Sequence, residues 1–374
     1  MNIYRPAGNR AVLEEEDFDP ALLTGLPLRL YQSGTAALAA ALQGCRQLGS
    51  GRDEVILPGY ACPDLLSAVI HAGARPVLVD LEANGHGYDL QRLEQRIGER
   101  TLAVISVRFL GLTEDIDALK RLCHASGARL ILDSAQWFPC TASDGDWPAD
   151  CHILSFGRGK PVNLLHGGAV ICRDERLHQA LPIGRPSPAD GKPAWRHRVK
   201  LRAYNLAINP WVYGLVSRLP GLHVGETVYH PLEALEGMSQ YHRRLLTANI
   251  RKYRQSNRVA QHYRRLMASL PAGNWRDMAD QSAPDALPPL LRYPLLIQDA
   301  TARDRILTAG NRLGLSALYR KPLPEIPGVR PLLDDVPELP NAGRLAAQLV
   351  TLPTHEDITE ERAEEIVALI GGSL

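Results

Sequence analysis

Between about residues 30 and 175 the chain repeats one theme, a short apolar run followed by a stretch of helical period. The runs EVILPG (54–59), RPVLVDLE (75–82), TLAVISVRFL (101–110), RLILDSA (129–135), HILSFG (152–157) and GAVICR (168–173) are rich in Val, Ile and Leu. They lack polar alternation, the pattern of strands buried on both faces. Helices are predicted between them over 35–48, 63–73, 89–98 and 115–126. Such alternation predicts βαβ crossovers and a mainly parallel sheet covered by helices on both faces. Ligands then bind at the carboxyl ends of the strands.

The rhythm breaks over 183–235. IGRPSPADGKPAWRHR reads as a loop from its Pro and Gly content, and NPWVYGLVSRLPGL as a short apolar helix closed by Pro220-Gly221. Leu246, Ile250, Tyr253, Asn257, Ala260 and Met267 then fall at helical spacing and predict one long helix over about 238–269, with arginines on its outer face. A strand over 290–299, a helix over 301–313 and a closing strand–loop–helix complete a smaller α+β domain. The expected division is a large domain over 1–240, with an insert at 183–235, and a small domain over 241–374.

Composition narrows the function classes. The chain has 374 residues, a net charge of +1 and no run approaching the length of a membrane span. The near-neutral balance argues against a dedicated nucleic-acid partner. The start, MNIYRPAGNRAVLEEEDFD, lacks the apolar core of a signal peptide, so a cytoplasmic protein is expected. Cys45, Cys62, Cys123, Cys140, Cys151 and Cys172 are scattered without CxxC pairs, which predicts reduced thiols and no metal site.

Lys160, in HILSFGRGKPVNLLHGGAV, raises the question of chemistry. A phosphate-binding Walker loop fails, because Leu154 stands where its first glycine belongs and Pro161 where Ser or Thr should follow. Three separated pieces read differently. SGTAAL (33–38) opens a helix, and it is either an ordinary N-cap or a phosphate cradle of backbone N–H groups and hydroxyls. Asp133 ends a buried strand, where it either caps the next helix or pairs with a cation. Lys160 is either a surface lysine or, among apolar neighbours, a Schiff-base former. Together, a cradle, a carboxylate for a ring nitrogen and a lysine are what pyridoxal 5′-phosphate (PLP) asks of a protein.

On these pieces the sequence resembles the DegT/DnrJ/EryC1/StrS family of fold-type-I PLP-dependent aminotransferases, the sugar aminotransferases. SGTAALAAAL is similar to the family's phosphate-binding helix start, and DEVILPGYACPDLLSAVIHAGARPVLVDLE to its second βα unit. FLGLTEDID, LILDSAQ, SFGRGKPVNLLHGGAVIC and TLPTHEDITEERAEEIVALI resemble further family segments. The resemblance implies that Lys160 carries the cofactor (PLP, or its amino form PMP) and shuttles a proton. It implies that Asp133 pairs with the pyridinium nitrogen and Gln136 bonds the phenolic oxygen. Ser33, Gly34, Thr35 and Ser155 would hold the phosphate. It further implies a homodimer with active sites at its interface, an amino-acid donor, typically glutamate, and a nucleotide-linked keto-sugar acceptor.

The chain departs from the family in three places. Cys62 stands where an aromatic residue usually stacks on the cofactor ring, so either Tyr60 or Cys62 with apolar neighbours takes that role. Gly157-Arg158-Gly159 replaces a bulkier run, making Arg158, with His166, a candidate for substrate contact. The family's Asn-Tyr-Arg-Met passage is not evident; its place is filled by 209–240, where Trp211, Tyr213, Leu215, Val216 and Leu219 could form an apolar patch. That patch either packs on a dimer mate or docks on a membrane or partner enzyme, which would admit a lipid-linked or non-sugar acceptor. A non-catalytic binding protein on the same fold is the reading from another class. Retention of both Lys160 and Asp133 favours catalysis, and a lysine rather than a histidine speaks against the dehydrating members of the family.

Overall fold

The computed structural model describes residues 3–49, 51–112, 114–139, 147–216, 227–255, 259–281, 287 and 290–374. A seven-stranded sheet forms the larger part. Its strands are β1 (Leu28–Tyr31), β2 (Glu54–Pro58), β3 (Arg75–Val79), β4 (Thr101–Val107), β5 (Arg129–Asp133), β6 (Cys151–Ser155) and β7 (Gly168–Cys172). They lie in the order β1-β7-β6-β5-β4-β2-β3, and β7 runs antiparallel to both of its neighbours. The other pairings are parallel. Every residue of β6 and β7 is buried, which is why these runs carry no polar alternation.

The crossovers are α1 (Gly34–Leu48), α2 (Asp64–His71), α3 (Leu90–Arg96) and α4 (Ile116–Ser126). Their starts follow the side chains available. Ser33 caps α1, Asp89 caps α3 and Asp115 caps α4, each accepting a first-turn N–H. Gly127 ends α4 in the left-handed conformation at φ +70°. A short α5 (Glu175–Ala180) follows β7.

The 183–198 stretch corrects the loop expectation. Helix α6 (Ala194–Ala207) begins directly after Pro193, because AWRHRVKLRAYNLA contains neither Gly nor Pro. The apolar helix expected next is α7 (Pro210–Val216); Leu219 and the Pro220-Gly221 stop lie outside the described residues. The long helix is described as α8 (Gln240–Gln255) and α9 (Val259–Met267), and residues 256–258 between them lie outside the description.

The C-terminal part holds an antiparallel sheet in the order β10-β9-β8, built from β8 (Trp275–Asp277), β9 (Arg292–Ile297) and β10 (Leu349–Pro353). Helices α9, α10 (Ala300–Gly310) and α11 (Pro340–Gln348) pack on it, and α12 (Glu360–Gly371) packs against α9 and α10. One apolar cluster joins the two parts: Tyr60, Leu81, Phe109 and Leu110 from the large sheet's loops pack with Tyr319, Leu345 and Ile366.

The N-terminal segment is a clasp. Buried Arg5 donates to the carbonyls of Gly8 (2.7 Å) and Ile208 (2.8 Å) and pairs with Asp357. His355 Nε2 donates to the Arg5 carbonyl at 2.9 Å. A guanidinium removed from water requires such pairing, and the remaining Arg5 nitrogen lies 3.7 Å from the Glu356 carboxylate.

Partly buried Glu114 offers a test of the packing between β4 and α3. Its carboxylate accepts from the Ser106 hydroxyl at 2.6 Å and the Tyr88 N–H at 2.9 Å. Burial nevertheless pushes its pKa up to about 7. The folded protein thus holds a proton that the unfolded chain releases near about 4.3, so the stabilisation is full below that value and is lost as pH rises through the folded pKa. Glu114→Gln should flatten the pH slope of the urea-unfolding free energy across this window and be more stable than wild type above it. An unchanged slope would contradict the assignment.

Candidate active site

A cleft of about 570 Å³ opens at the carboxyl ends of the parallel strands. Five strands deliver residues to it: β1 through Gly34 and Thr35, β2 through Tyr60 and Cys62, β4 through Phe109, β5 through Asp133 and Gln136, β6 through Ser155 and the Lys160 loop.

The floor depends on a close approach. A Cβ on Gly34 would lie 2.7 Å from Ser155 Cβ, and one on Gly168 would lie 2.4 Å from the Ser33 carbonyl oxygen. Glycine at both places lets the first turn of α1 seat against β6 and β7. Ser33 Oγ accepts the Ala36 N–H at 3.1 Å, so the N-cap role is real. The N–H groups of Gly34 and Thr35 remain at the helix's positive end facing the cleft.

Asp133 is 8% exposed and makes no salt bridge among the described residues. One oxygen accepts the Ala135 N–H at 2.9 Å. Burial raises its pKa, the Lys160 charge and the Ala135 N–H pull it down, and Asp64 raises it further. A buried carboxylate in this state is completed by a cation at its second oxygen.

Gln136 is pinned at both ends. Its Oε1 accepts the Leu110 N–H at 2.8 Å and its Nε2 donates to the Tyr319 hydroxyl at 3.1 Å, leaving one N–H for a ligand. Leu110 sits at φ +55°, a left-handed conformation costing about 1–3 kcal/mol for a side-chain-bearing residue. Gln136 and the Leu291 N–H, bonded to the Leu110 carbonyl at 2.8 Å, hold that turn and set Phe109 at the cleft wall.

Tyr60 and Cys62 both line the cleft. The Tyr60 hydroxyl donates to the Tyr319 carbonyl at 2.8 Å, and its ring meets Phe109 and Tyr319 edge-on at 5.8 and 5.4 Å between centroids. Burial pushes the Cys62 thiol up to about 12, so it contributes as a neutral, polarisable contact rather than a nucleophile.

Two expected substrate residues fall elsewhere. Arg158 is exposed and does not line the cleft. His166 faces a different pocket, with His197 and His242, because the chain turns after Leu164 toward the start of α8. Conversely, Asp64, Phe109 and Tyr319 line the cleft without having been singled out in the sequence. Their one common signal was position just after a strand or in a loop, which is too general to select them.

The GRG run has a structural cause. Gly159 adopts φ +73°, and a Cβ on Gly8 (φ +95°) would lie 2.9 Å from the Gly159 Cα. The N-terminal segment thus lies directly on the loop that carries Lys160.

A cradle of helix N–H groups, a carboxylate lacking its cation and a lysine in one cleft define a site for a phosphorylated, ring-bearing cofactor on an α/β fold. The profile of the DegT/DnrJ/EryC1/StrS aminotransferase family matches residues 30–210 and 242–371. The chain belongs to that family. It is 26% identical over 208 residues to the Helicobacter pylori UDP-4-amino-4,6-dideoxy-N-acetyl-beta-L-altrosamine transaminase, a stretch spanning about half the length of each (54% and 54%). It is 25% identical to the Escherichia coli dTDP-4-amino-4,6-dideoxy-D-glucose transaminase, over 93% of this chain and 85% of that one. Among solved structures, Helicobacter pylori PseC, an aminotransferase involved in the biosynthesis of pseudoaminic acid, superposes with a TM-score of 0.70 at 18% identity, covering 98% and 99% of the two chains. That last likeness establishes the shared fold.

Proposed function

We propose that this protein is a PLP-dependent aminotransferase that moves an amino group from an amino acid, glutamate in the simplest case, to a keto sugar carried on a nucleotide. The observation that carries the reading is Asp133, a desolvated carboxylate whose second oxygen lacks a partner among the described residues, in the same cleft as Lys160. Bound PLP supplies an electron sink for negative charge at the donor's α-carbon. Asp133 keeps a proton on the pyridine nitrogen by offering it the missing charge partner. Lys160 Nζ would hold the cofactor at its aldehyde end and serve as the base that moves a proton at the substrate carbon. The Gly34 and Thr35 N–H groups, with the hydroxyls of Ser33, Thr35 and Ser155, bind the phosphate. Gln136 orients the ring through its remaining N–H, while Tyr60, Cys62 and Phe109 exclude water from its face.

A nucleotide-linked acceptor is favoured by the relatives, whose names specify UDP- and dTDP-linked amino sugars. A homodimer is favoured by the apolar side chains exposed along α6 and α7, where Trp195 is 62%, Trp211 68% and Leu215 70% exposed. The same patch favours, as a second reading, contact with a membrane-borne acceptor. No helix among the described residues is long and apolar enough to cross a membrane.

Three outcomes are expected. Borohydride reduction of the PLP-loaded protein should fix the cofactor to the peptide containing Lys160, and Asp133→Asn should keep the cofactor while losing about 10²–10³-fold in kcat, as for loss of a pre-positioned electrostatic partner. Labelling of another lysine, or full activity of the variant, would sink the reading. Mixing the amino form of the protein with nucleotide-linked keto sugars should restore the absorbance of the aldehyde form, and a response to plain keto acids alone would move the acceptor out of the sugar class. Sedimentation at micromolar concentration should give a dimer that Trp195→Glu with Trp211→Glu weakens; a wild-type monomer would remove the dimer proposal.

A further inference from the structure

The pocket that receives His166 shares no lining residue with the cleft. It has a volume of about 520 Å³ and brings together His166, His197, His242, Lys192, Arg196 and Lys200. The His166 and His242 rings lie 4.6 Å apart and those of His197 and His242 5.2 Å apart.

The hydrogen bonds fix where the protons sit. His166 Nε2 faces the Ser239 N–H at 3.2 Å and must accept it, so His166 carries its proton on Nδ1. The Ser239 hydroxyl accepts the His242 N–H at 3.4 Å. Ser239 is fully buried, and the acceptor for its own hydrogen is His242 Nδ1 at 2.7 Å, which puts the His242 proton on Nε2. His197 Nε2 donates to the Ala189 carbonyl at 2.9 Å. Two imidazole N–H groups, His166 Nδ1 and His242 Nε2, are therefore left as donors without partners among the described residues.

The charged side chains that line the pocket are all cations. Lys192 and Lys200 make no ion pair among the described residues, and Arg196 stands over the Trp195 ring at 5.8 Å. The neighbouring carboxylate, Asp190, is engaged by the Gln240 N–H at 2.7 Å. Burial, reinforced by Lys200 and the neighbouring rings, lowers His166 to about 4 and His242 to about 3, so these groups act as neutral donors at ordinary pH. Neutral N–H donors together with the exposed cations Lys192, Arg196 and Lys200 suit an anion that needs several hydrogen bonds.

We infer that this pocket binds a phosphoryl group, carried by a soluble nucleotide or by a lipid headgroup. Its ligand would hold the far end of loop 156–167, which carries Lys160 near one end and His166 near the other. The inference rests on the pocket's own residues and does not need the aminotransferase reading.

The test uses the PLP-loaded, borohydride-reduced protein, in which the cofactor cradle is filled. Inorganic pyrophosphate is titrated while the ring Hε1 signals of His166 and His242, assigned with His166→Gln and His242→Gln, are followed by NMR. Both should shift saturably, and Lys192→Ala with Lys200→Ala should weaken binding by about tenfold or more, as for the loss of two charge contacts. Parallel titrations with UDP and with dihexanoyl phosphatidylglycerol name the source, the tighter ligand being the physiological type. The inference is overturned if none of the three moves these signals, or if the lysine variant binds as wild type does. Because Lys192 and Lys200 lie outside the cleft, failure of cofactor loading would not mimic either result.

Discussion

The site depends on one steric constraint, the contact between the first turn of α1 and the facing ends of β6 and β7. Gly34 lies against Ser155 and Gly168 against the backbone of Ser33, at separations no side chain would tolerate. That contact points the positive end of a 15-residue helix at the cleft and brings the Ser155 hydroxyl beside it. The phosphate cradle is thus a product of backbone packing, and side chains only complete it. It also extends the seam between the edge strand β1 and its neighbour β7, through the bridge between Ser33 and Gly167.

The remaining chemistry follows from the direction of the strands. Parallel strands put all their carboxyl ends on one edge, and burial on both faces makes that edge the place where polar groups emerge from the core. Asp133 is the clearest case: one residue earlier, Leu132 is fully buried, and Asp133 itself is nearly so. Its raised pKa is an incomplete electrostatic arrangement awaiting a positive partner. Gln136, by contrast, is spent largely on structure, holding the left-handed turn at Leu110 and tethering Tyr319 from the C-terminal part. The cleft therefore closes only where both parts of the chain meet.

The legible features were those with a single physical cause. Strands β2 to β7 were readable because double burial leaves uninterrupted apolar runs, and α1 to α4 because stretches of helical period border those runs. Helix α6 was not, since Pro and Gly just before it masked a good helix-forming run. Strand β8 was hidden by its length of three residues. Lys160 and Asp133 stood out through their combination with SGTAAL, and Ser155 through the resemblance of its segment to the family's. Tyr319 and Asp64 did not, since an exposed acid and a loop tyrosine are ordinary until the fold sets them beside a lysine. His166 was misassigned for the opposite reason: sequence proximity to Lys160 suggested a shared site, whereas the partners that fix it, Ser239 and His242, lie more than seventy residues away along the chain.

The glycines around Arg158 looked like room made for a substrate, and the packing gives them a different cause. Gly159 lies under Gly8, Asn163 Nδ2 donates to the Asn9 carbonyl and the Tyr204 hydroxyl, both at 2.9 Å, and Arg5 ties this segment to Ile208 and Asp357. The loop carrying Lys160 is therefore clamped from above by residues 5–10, which are themselves anchored to the last part of the chain. A side chain at position 8 would collide with the Gly159 backbone and lift the clamp, whereas one at 159 would meet no neighbour and be disfavoured only by its left-handed backbone. Small residues here keep the anchor rigid, and any freedom to admit a substrate must come from the other walls of the cleft, where Asp64, Phe109 and Tyr319 stand.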